Sequence, residues 1–220
     1  MHSRQHDVPF EVANRSTTWR RSALAQVNGQ AITFRVAASL SELMQVVAIR
    51  AAVFLAEQDC PYDEEFDGND FCGLHLIGFV GKEPAACIRI RFFAEFAKLE
   101  RLAVRQEFRR TCLAVETCRA ATELVRLKGY TRIYGHVQER VVPLWKRLGG
   151  RVMQSKRPLV FSDFSYTEMV LETERHPEAL SLESDPYVLI RPEGEWDKPG
   201  PLEVSAQRPV TSPLRNQQAA

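Results

Sequence analysis

The sequence predicts an α/β protein: a mixed β-sheet flanked by a few helices, in the order β-α-β-β-β-α-β-α-β. Three observations point there. Short apolar runs such as "HLIGFV" (75–80) and "AACIRIRFF" (85–93) read as strands. Apolar residues recur at helical spacing in "LAVETCRAATELVRLK" (113–128), where Ala114, Cys118, Ala121 and Val125 share a face. Glycine and proline punctuate these runs, and no segment repeats.

Residues 1–30 are polar, lack a sustained period and read as an N-terminal arm. "AITFRVA" (31–37) reads as the first strand. "SLSE" at Ser39 to Glu42 is a capping box and opens a helix to about residue 57. The acidic loop "DCPYDEEFDGNDFCG" follows, broken by Pro61, Gly68 and Gly73. The runs 75–80 and 85–93, joined by "GKEP", predict a hairpin. "KLERLAV" (98–104) is a further strand. The 113–128 helix stops at Gly129. "TRIYGHV" (131–137) is a strand, "VVPLWKRLGGR" a short helix halted by Gly149-Gly150, and "YTEMVLE" (166–172) the last strand. Seven of the twelve prolines lie after residue 175, so residues 173–220 read as an irregular extension that wraps the 31–172 domain and frays. Trp196 is its aromatic anchor, for the domain or for a second subunit.

A chain of 220 residues, 45% of them apolar, suits one domain with a real core. The net charge of +1 gives no global attraction to nucleic acid or to an anionic membrane. No apolar run approaches the roughly 18 residues of a membrane span, and the first residues lack a secretion-signal layout. Five cysteines without a CxxC predict reduced thiols, no zinc site and a cytoplasmic setting. No metal is expected. A calcium loop counted from Asp63 needs a bidentate Glu at its twelfth position, where Leu74 stands.

The stretch "EFRRTCLAVETCR" (107–119) places two arginines where a strand turns into a helix. The first amides of a helix lack intrahelical partners and sit at the positive end of its dipole. Arg110, Thr111, Cys112, Leu113 and Ala114 could therefore cradle a phosphate, with Arg109 and Arg110 adding charge. The competing reading is a solvated basic helix start.

In register, "LAVRQEFRRTCLA" resembles the (Arg/Gln)-x-x-Gly-x-(Gly/Ala) turn of the GNAT superfamily of N-acyltransferases. Arg109 stands first, Cys112 where glycine is usual, and Ala114 last. "AAVFLAEQDCPYDEEFDGND…H" is similar to a small bacterial GNAT branch and, more faintly, to the autoinducer and N-acyl amino acid synthases. The resemblance covers about residues 31–172. It implies a splayed sheet, acetyl-CoA or another acyl-CoA as co-substrate, and direct attack of a primary amine in a ternary complex. It implies that Leu102, Ala103 and Val104 offer main-chain groups to the pantetheine arm and thioester. Gln138 falls where many members bind the pantetheine amides through Asn. Trp145 takes the place of a common general-acid Tyr and would wall the channel instead. Cys112 restricts the close approach and the positive φ that glycine permits.

Period-two alternation puts Glu100 on one face with Leu102 and Val104, as a general base beside apolar walls that would raise its proton affinity. A salt bridge to Arg89, Arg91 or Arg101 is the competing role. Tyr134 and His136 share a face of the neighbouring strand and could supply the general acid. Seven carboxylates between Glu57 and Asp70, with no base among them, form either a negative rim that gathers a cationic amine or a solvated loop. His75 either caps that pocket or is structural.

Two alternatives stand beside a short-chain acyltransferase. One is a long-chain synthase fed by an acyl carrier protein, with Arg101, Arg105, Arg109 and Arg110 as docking patch. The other is an inactive GNAT-like binding module, which the missing Tyr and Gly favour. The expected partner is a small-molecule or peptide amine. A homodimer is compatible; nucleic acid and membrane are not expected.

Overall fold

A computed structural model describes residues 18–154 and 157–212. Its elements are β1 (Arg21–Val27), β2 (Gln30–Val36), α1 (Leu40–Arg50), α2 (Tyr62–Glu65), β3 (Leu74–Val80), β4 (Glu83–Phe92) and β5 (Ala97–Val104). There follow α3 (Leu113–Leu127), β6 (Arg132–Gln138), α4 (Val142–Arg147), β7 (Arg151–Val152), β8 (Leu159–Phe161), β9 (Phe164–Glu172) and α5 (Pro186–Leu189). The strands form one mixed sheet in the order β1-β2-β3-β4-β5-β6-β9-β7, with β8 paired to β9. β5 and β6 run parallel, whereas the other pairs are antiparallel. The predicted order holds from β2 to β9, with the short elements α2, β7 and β8 added to it.

Local signals explain most boundaries. Ser39 Oγ accepts the Glu42 amide at 3.2 Å, and Glu42 Oε2 accepts the Ala38 amide at 2.9 Å, so the capping box forms. The helix it opens keeps its expected length but changes pitch: Ala51–Ala56 is π-helical. Gly129, at φ 89°, ends α3 in a conformation that costs a side-chain residue dearly. The sheet begins at Arg21, inside the stretch read as an arm, because β1 pairs with β2; the earlier part of that stretch lies outside the described residues.

The larger core lies on the α3 side of the sheet and joins Ile32, Leu76, Ile88, Ile90, Leu99, Leu113, Leu124 and Ile133. A smaller cluster on the α1 side holds Val46, Ile49, Val53, Ile77, Cys87 and Ala103. Residues 173–212 carry little regular structure but are anchored. Trp196 is buried in the larger core with Trp19, and Lys128 Nζ lies 5.7 Å from its ring centroid. The predicted aromatic anchor thus docks on its own domain. Leu180 donates its amide to Leu127 O, and Arg20 pairs with Asp197 at 2.6 Å. Among the described residues no helix is long and apolar enough to cross a membrane, and no cluster of His, Cys, Asp or Glu could hold a metal. The five cysteines are free.

Candidate active site

β5 and β6 are paired at two positions, Ala97 with Ile133 and Lys98 with Tyr134. Beyond them the strands part. β6 remains fully occupied on its other side, pairing with β9 from Arg132↔Glu172 to Gln138↔Tyr166. A cavity of about 1190 Å³ occupies the opening; its walls include Leu102, Val104, Ala114, His136, Gln138 and Trp145.

The opening has a physical cause at its vertex. Gly135 lies under the Trp145 ring: a Cβ there would come within 2.5 Å of the indole and 3.4 Å of Leu99 O. The missing side chain admits the indole beside β6 where β5 departs. Trp145 therefore walls the cavity and is itself buried.

β5 carries a bulge. Ala103 opposes Cys87 and Glu100 opposes Arg89, so Arg101 and Leu102 together face Ile88 alone. Arg101 takes φ 55°. The extra residue reverses the alternation. Leu99, Leu102 and Val104 pack toward the α3 side, while Glu100 and Ala103 face the α1 side. This corrects the expectation that Glu100 shares a face with Leu102 and Val104 beside apolar walls. Its carboxylate instead accepts from Arg89 Nε and Lys98 Nζ, each at 2.9 Å, with Arg91 at 3.8 Å. Glu100 lines the cavity, but as the hub of these cations.

The turn before α3 has the expected open amides with one exception. Leu113 donates to Thr111 Oγ1 at 3.2 Å, whereas the amides of Arg110, Thr111, Cys112 and Ala114 find no acceptor among the described residues. Thr111 Oγ1 in turn donates to Phe108 O at 2.7 Å, which fixes the turn. Cys112, at φ −74°, is unstrained; the positive φ falls on Arg110, at 59°. The backbone demand expected where glycine is usual therefore lies two residues earlier. Arg110 and Thr111 are exposed, Cys112 is half-buried and Leu113 is fully buried in the core. Arg109 reaches the cavity but is already engaged, with Glu57 at 2.5 Å and Val104 O at 2.9 Å.

On β6, Tyr134 donates to Glu168 at 2.5 Å, and its oxygen lies 2.7 Å from His136 Nε2. The phenol proton is spent on Glu168, so His136 Nε2–H donates to Tyr134. That leaves Nδ1 as the lone-pair nitrogen, with no partner among the described residues. Burial and then Lys98 push the imidazole below its ordinary pKa, against the pull of Glu168 and Glu100. Burial and the Glu168 bond hold the Tyr134 phenol above its own. Gln138 donates to Tyr166 Oη at 2.9 Å and accepts from Arg140 at 2.7 Å.

Of the seven carboxylates in the acidic loop, Glu57, Glu65, Asp67 and Asp70 are paired with arginine, whereas Asp59 and Asp63 are exposed. Arg50 and Arg89 are both fully buried. Arg50 binds Glu65 and Asp70 at 2.5 Å each; Arg89 binds Asp67 at 2.6 Å and Asp70 at 2.8 Å; Arg101 binds Glu65 at 3.0 Å. Burial alone would raise Asp67, but Arg89, the Asn69 amide and Arg101 hold it well below the carboxylate range. His75 is structural: it is buried, with Nε2 on Asp70 O at 2.9 Å. Glu64 accepts from the amide and hydroxyl of Ser162, tying the loop to the β8–β9 turn over the cavity. That closure, and the roles of Lys98, Glu168 and Tyr166, were not visible in sequence. They depend on the register of β9 against β6 and on contacts between distant segments.

Comparison with known proteins agrees with this geometry. Residues 43–149 match the Acetyltransferase (GNAT) family. The uncharacterized N-acetyltransferase YjcF of Bacillus subtilis is 26% identical over 121 residues, 55% of this chain and 86% of YjcF. The crystal structure of Escherichia coli ElaA superposes with a TM-score of 0.58 at 22% identity, covering 64% of this chain and 99% of ElaA. An acyl-CoA N-acyltransferase from Pseudomonas aeruginosa superposes with a TM-score of 0.55 at 23% identity, covering 63% of this chain and 97% of that one.

Proposed function

Since the chain belongs to the acetyltransferase (GNAT) family, we propose that it moves an acetyl or other short acyl group from acyl-CoA to a primary amine, in the cavity between β5 and β6. The parting of these strands after the Lys98–Tyr134 pair carries the reading. It frees main-chain groups of β5 beside a cavity large enough for two substrates. The residues present fit the donor. Open amides of Arg110, Thr111, Cys112 and Ala114 at the start of a fifteen-residue helix suit its pyrophosphate. Arg109 can turn from Glu57 to add charge, and Gln138 has the polar groups for a pantetheine amide.

The donor supplies a thioester carbonyl, whose acyl carbon exchanges a bond to sulfur for a bond to nitrogen. The acceptor ammonium loses two protons overall. One leaves on the thiol and the other passes to solvent. We assign the first acceptance to His136 Nδ1, because the ring lines the cavity and its depressed pKa keeps it neutral near pH 7. Tyr134 and Glu168 fix the tautomer. Glu100, with both oxygens engaged by cations, positions Arg89 and Lys98. Holding two substrates at near-attack distance supplies much of the remaining acceleration.

Calorimetric titration with acetyl-CoA, followed by thiol-release assays against a panel of amines, tests the reading. Binding with turnover supports it. Binding without turnover on any amine would favour a GNAT-like binding module, and turnover confined to long-chain acyl carrier protein would favour a synthase.

A further inference from the structure

Building on the acyltransferase reading, we propose that the acceptor carries a carboxylate next to its amine, as an α-amino acid does, and that Arg91 and Lys98 bind that carboxylate. The observation is a pair of cations at one end of the cavity that share a single, already engaged carboxylate. Among the described residues the ion pairs of Arg50, Arg89, Arg91, Lys98 and Arg101 go to four carboxylates, Glu65, Asp67, Asp70 and Glu100. Arg50, Arg89 and Arg101 are satisfied by the acidic loop. Among the described residues Lys98 and Arg91 form ion pairs only with Glu100, which Arg89 already shares.

Arg91 is the least satisfied. Among the described residues its one ion pair is the 3.8 Å contact with Glu100, too long for a hydrogen bond. Its guanidinium sits 5.1 Å from the Phe93 ring centroid, which orients the group while leaving its donors open. The side chain is 23% exposed and lines the cavity, as does Lys98 at 17%. A planar guanidinium with donors to spare matches a carboxylate in two-point geometry.

Position supports the same occupant. Arg91 faces Lys98 across β4 and β5, and Lys98 faces Tyr134 across β5 and β6. Lys98 is near enough to His136 to act on its charge. A carboxylate on Arg91 and Lys98 therefore sets an adjacent amine toward His136. The opposite occupant, a polycation, is poorly served. Of the loop's seven carboxylates, Glu57, Glu65, Asp67 and Asp70 are each paired with arginine.

The test compares matched acceptors under saturating acetyl-CoA: L-phenylalanine against phenethylamine, L-alanine against ethylamine, and spermidine as the opposite charge type. Thiol release is followed, with donor binding measured separately by calorimetry. The expected result is a kcat/KM at least tenfold higher for each amino acid than for its decarboxylated partner. Arg91→Met should shrink that ratio by about tenfold or more, mainly through KM, and Arg91→Lys should restore part of it. Equal rates with and without the carboxylate, or a preference for spermidine, overturn the proposal while donor binding preserves the acyltransferase reading. No acetyl-CoA binding removes both.

Discussion

Glu100 and Leu102 lie on opposite faces of β5, because Arg101 between them takes φ 55° and opposes β4 as an extra residue. The bulge sends Leu102 and Val104 to the cavity wall and Glu100 into a nest of cations. Glu100→Gln should therefore act on structure first. Loss of the charge beside buried Arg89 should lower unfolding stability by about 1–3 kcal/mol, read by urea denaturation at pH 7. Turnover should fall less than in a His136 variant. A large loss of kcat at unchanged stability would return Glu100 to the role of base.

His136 should set the acid limb of the pH profile. Burial and Lys98 lower its pKa, so the neutral form persists to below the ordinary value of about 6.5. The log of kcat/KM should be level above neutrality and fall with decreasing pH only below that value. His136→Asn should reduce kcat by about 100-fold or more and remove the limb. An unchanged limb in the variant would assign the titration elsewhere.

Gly135→Ala should cost stability by steric means. The added Cβ meets the Trp145 ring at 2.5 Å, and the backbone oxygen of Leu99 closes the other side. Overpacking of this kind costs about 1–3 kcal/mol. Trp145→Leu, destabilising alone, should recover part of the loss when combined with Gly135→Ala, and a double-mutant cycle by chemical denaturation reads that coupling. Strict additivity would mean the two residues do not meet.

The ion-pair nest should make the fold acid-sensitive. Asp67 and Asp70 are held below their ordinary pKa; burial works against this, but Arg89 at Asp67 and Arg50 and Arg89 at Asp70 outweigh it. A depressed carboxylate contributes its full stability above the unfolded value, about 3.9, and loses it as pH falls through the folded value. The melting temperature should drop steeply below about pH 4. Asp67→Asn should lower it at pH 7 and flatten that drop.

Much of the fold was legible because its signals are local. The Ser39–Glu42 box, the glycine after α3 and the short apolar runs of β3 and β4 joined by a turn each act within a few residues. The turn before α3 was legible for the same reason. The bulge at Arg101 was not: nothing in "KLERLAV" marks which residue goes unpaired, and alternation placed Glu100 on the wrong face. Arg50 and Arg89 are distant in sequence from the carboxylates that neutralise them, so the loop read as free charge when four of its seven carboxylates are paired with arginine. β1 was hidden by its polar context, and β7 and β8 are too short to show a period.

The central claim is that a diphosphate-bearing thioester docks on the turn before α3 and runs between β5 and β6. Amide chemical shifts followed during titration with acetyl-CoA test it most directly. The amides of Arg110, Thr111, Cys112 and Ala114 should move along one saturable curve with those of Leu102 to Val104 and Gln138. Saturable binding that leaves the 110–114 amides unmoved, or no binding at all, would contradict it.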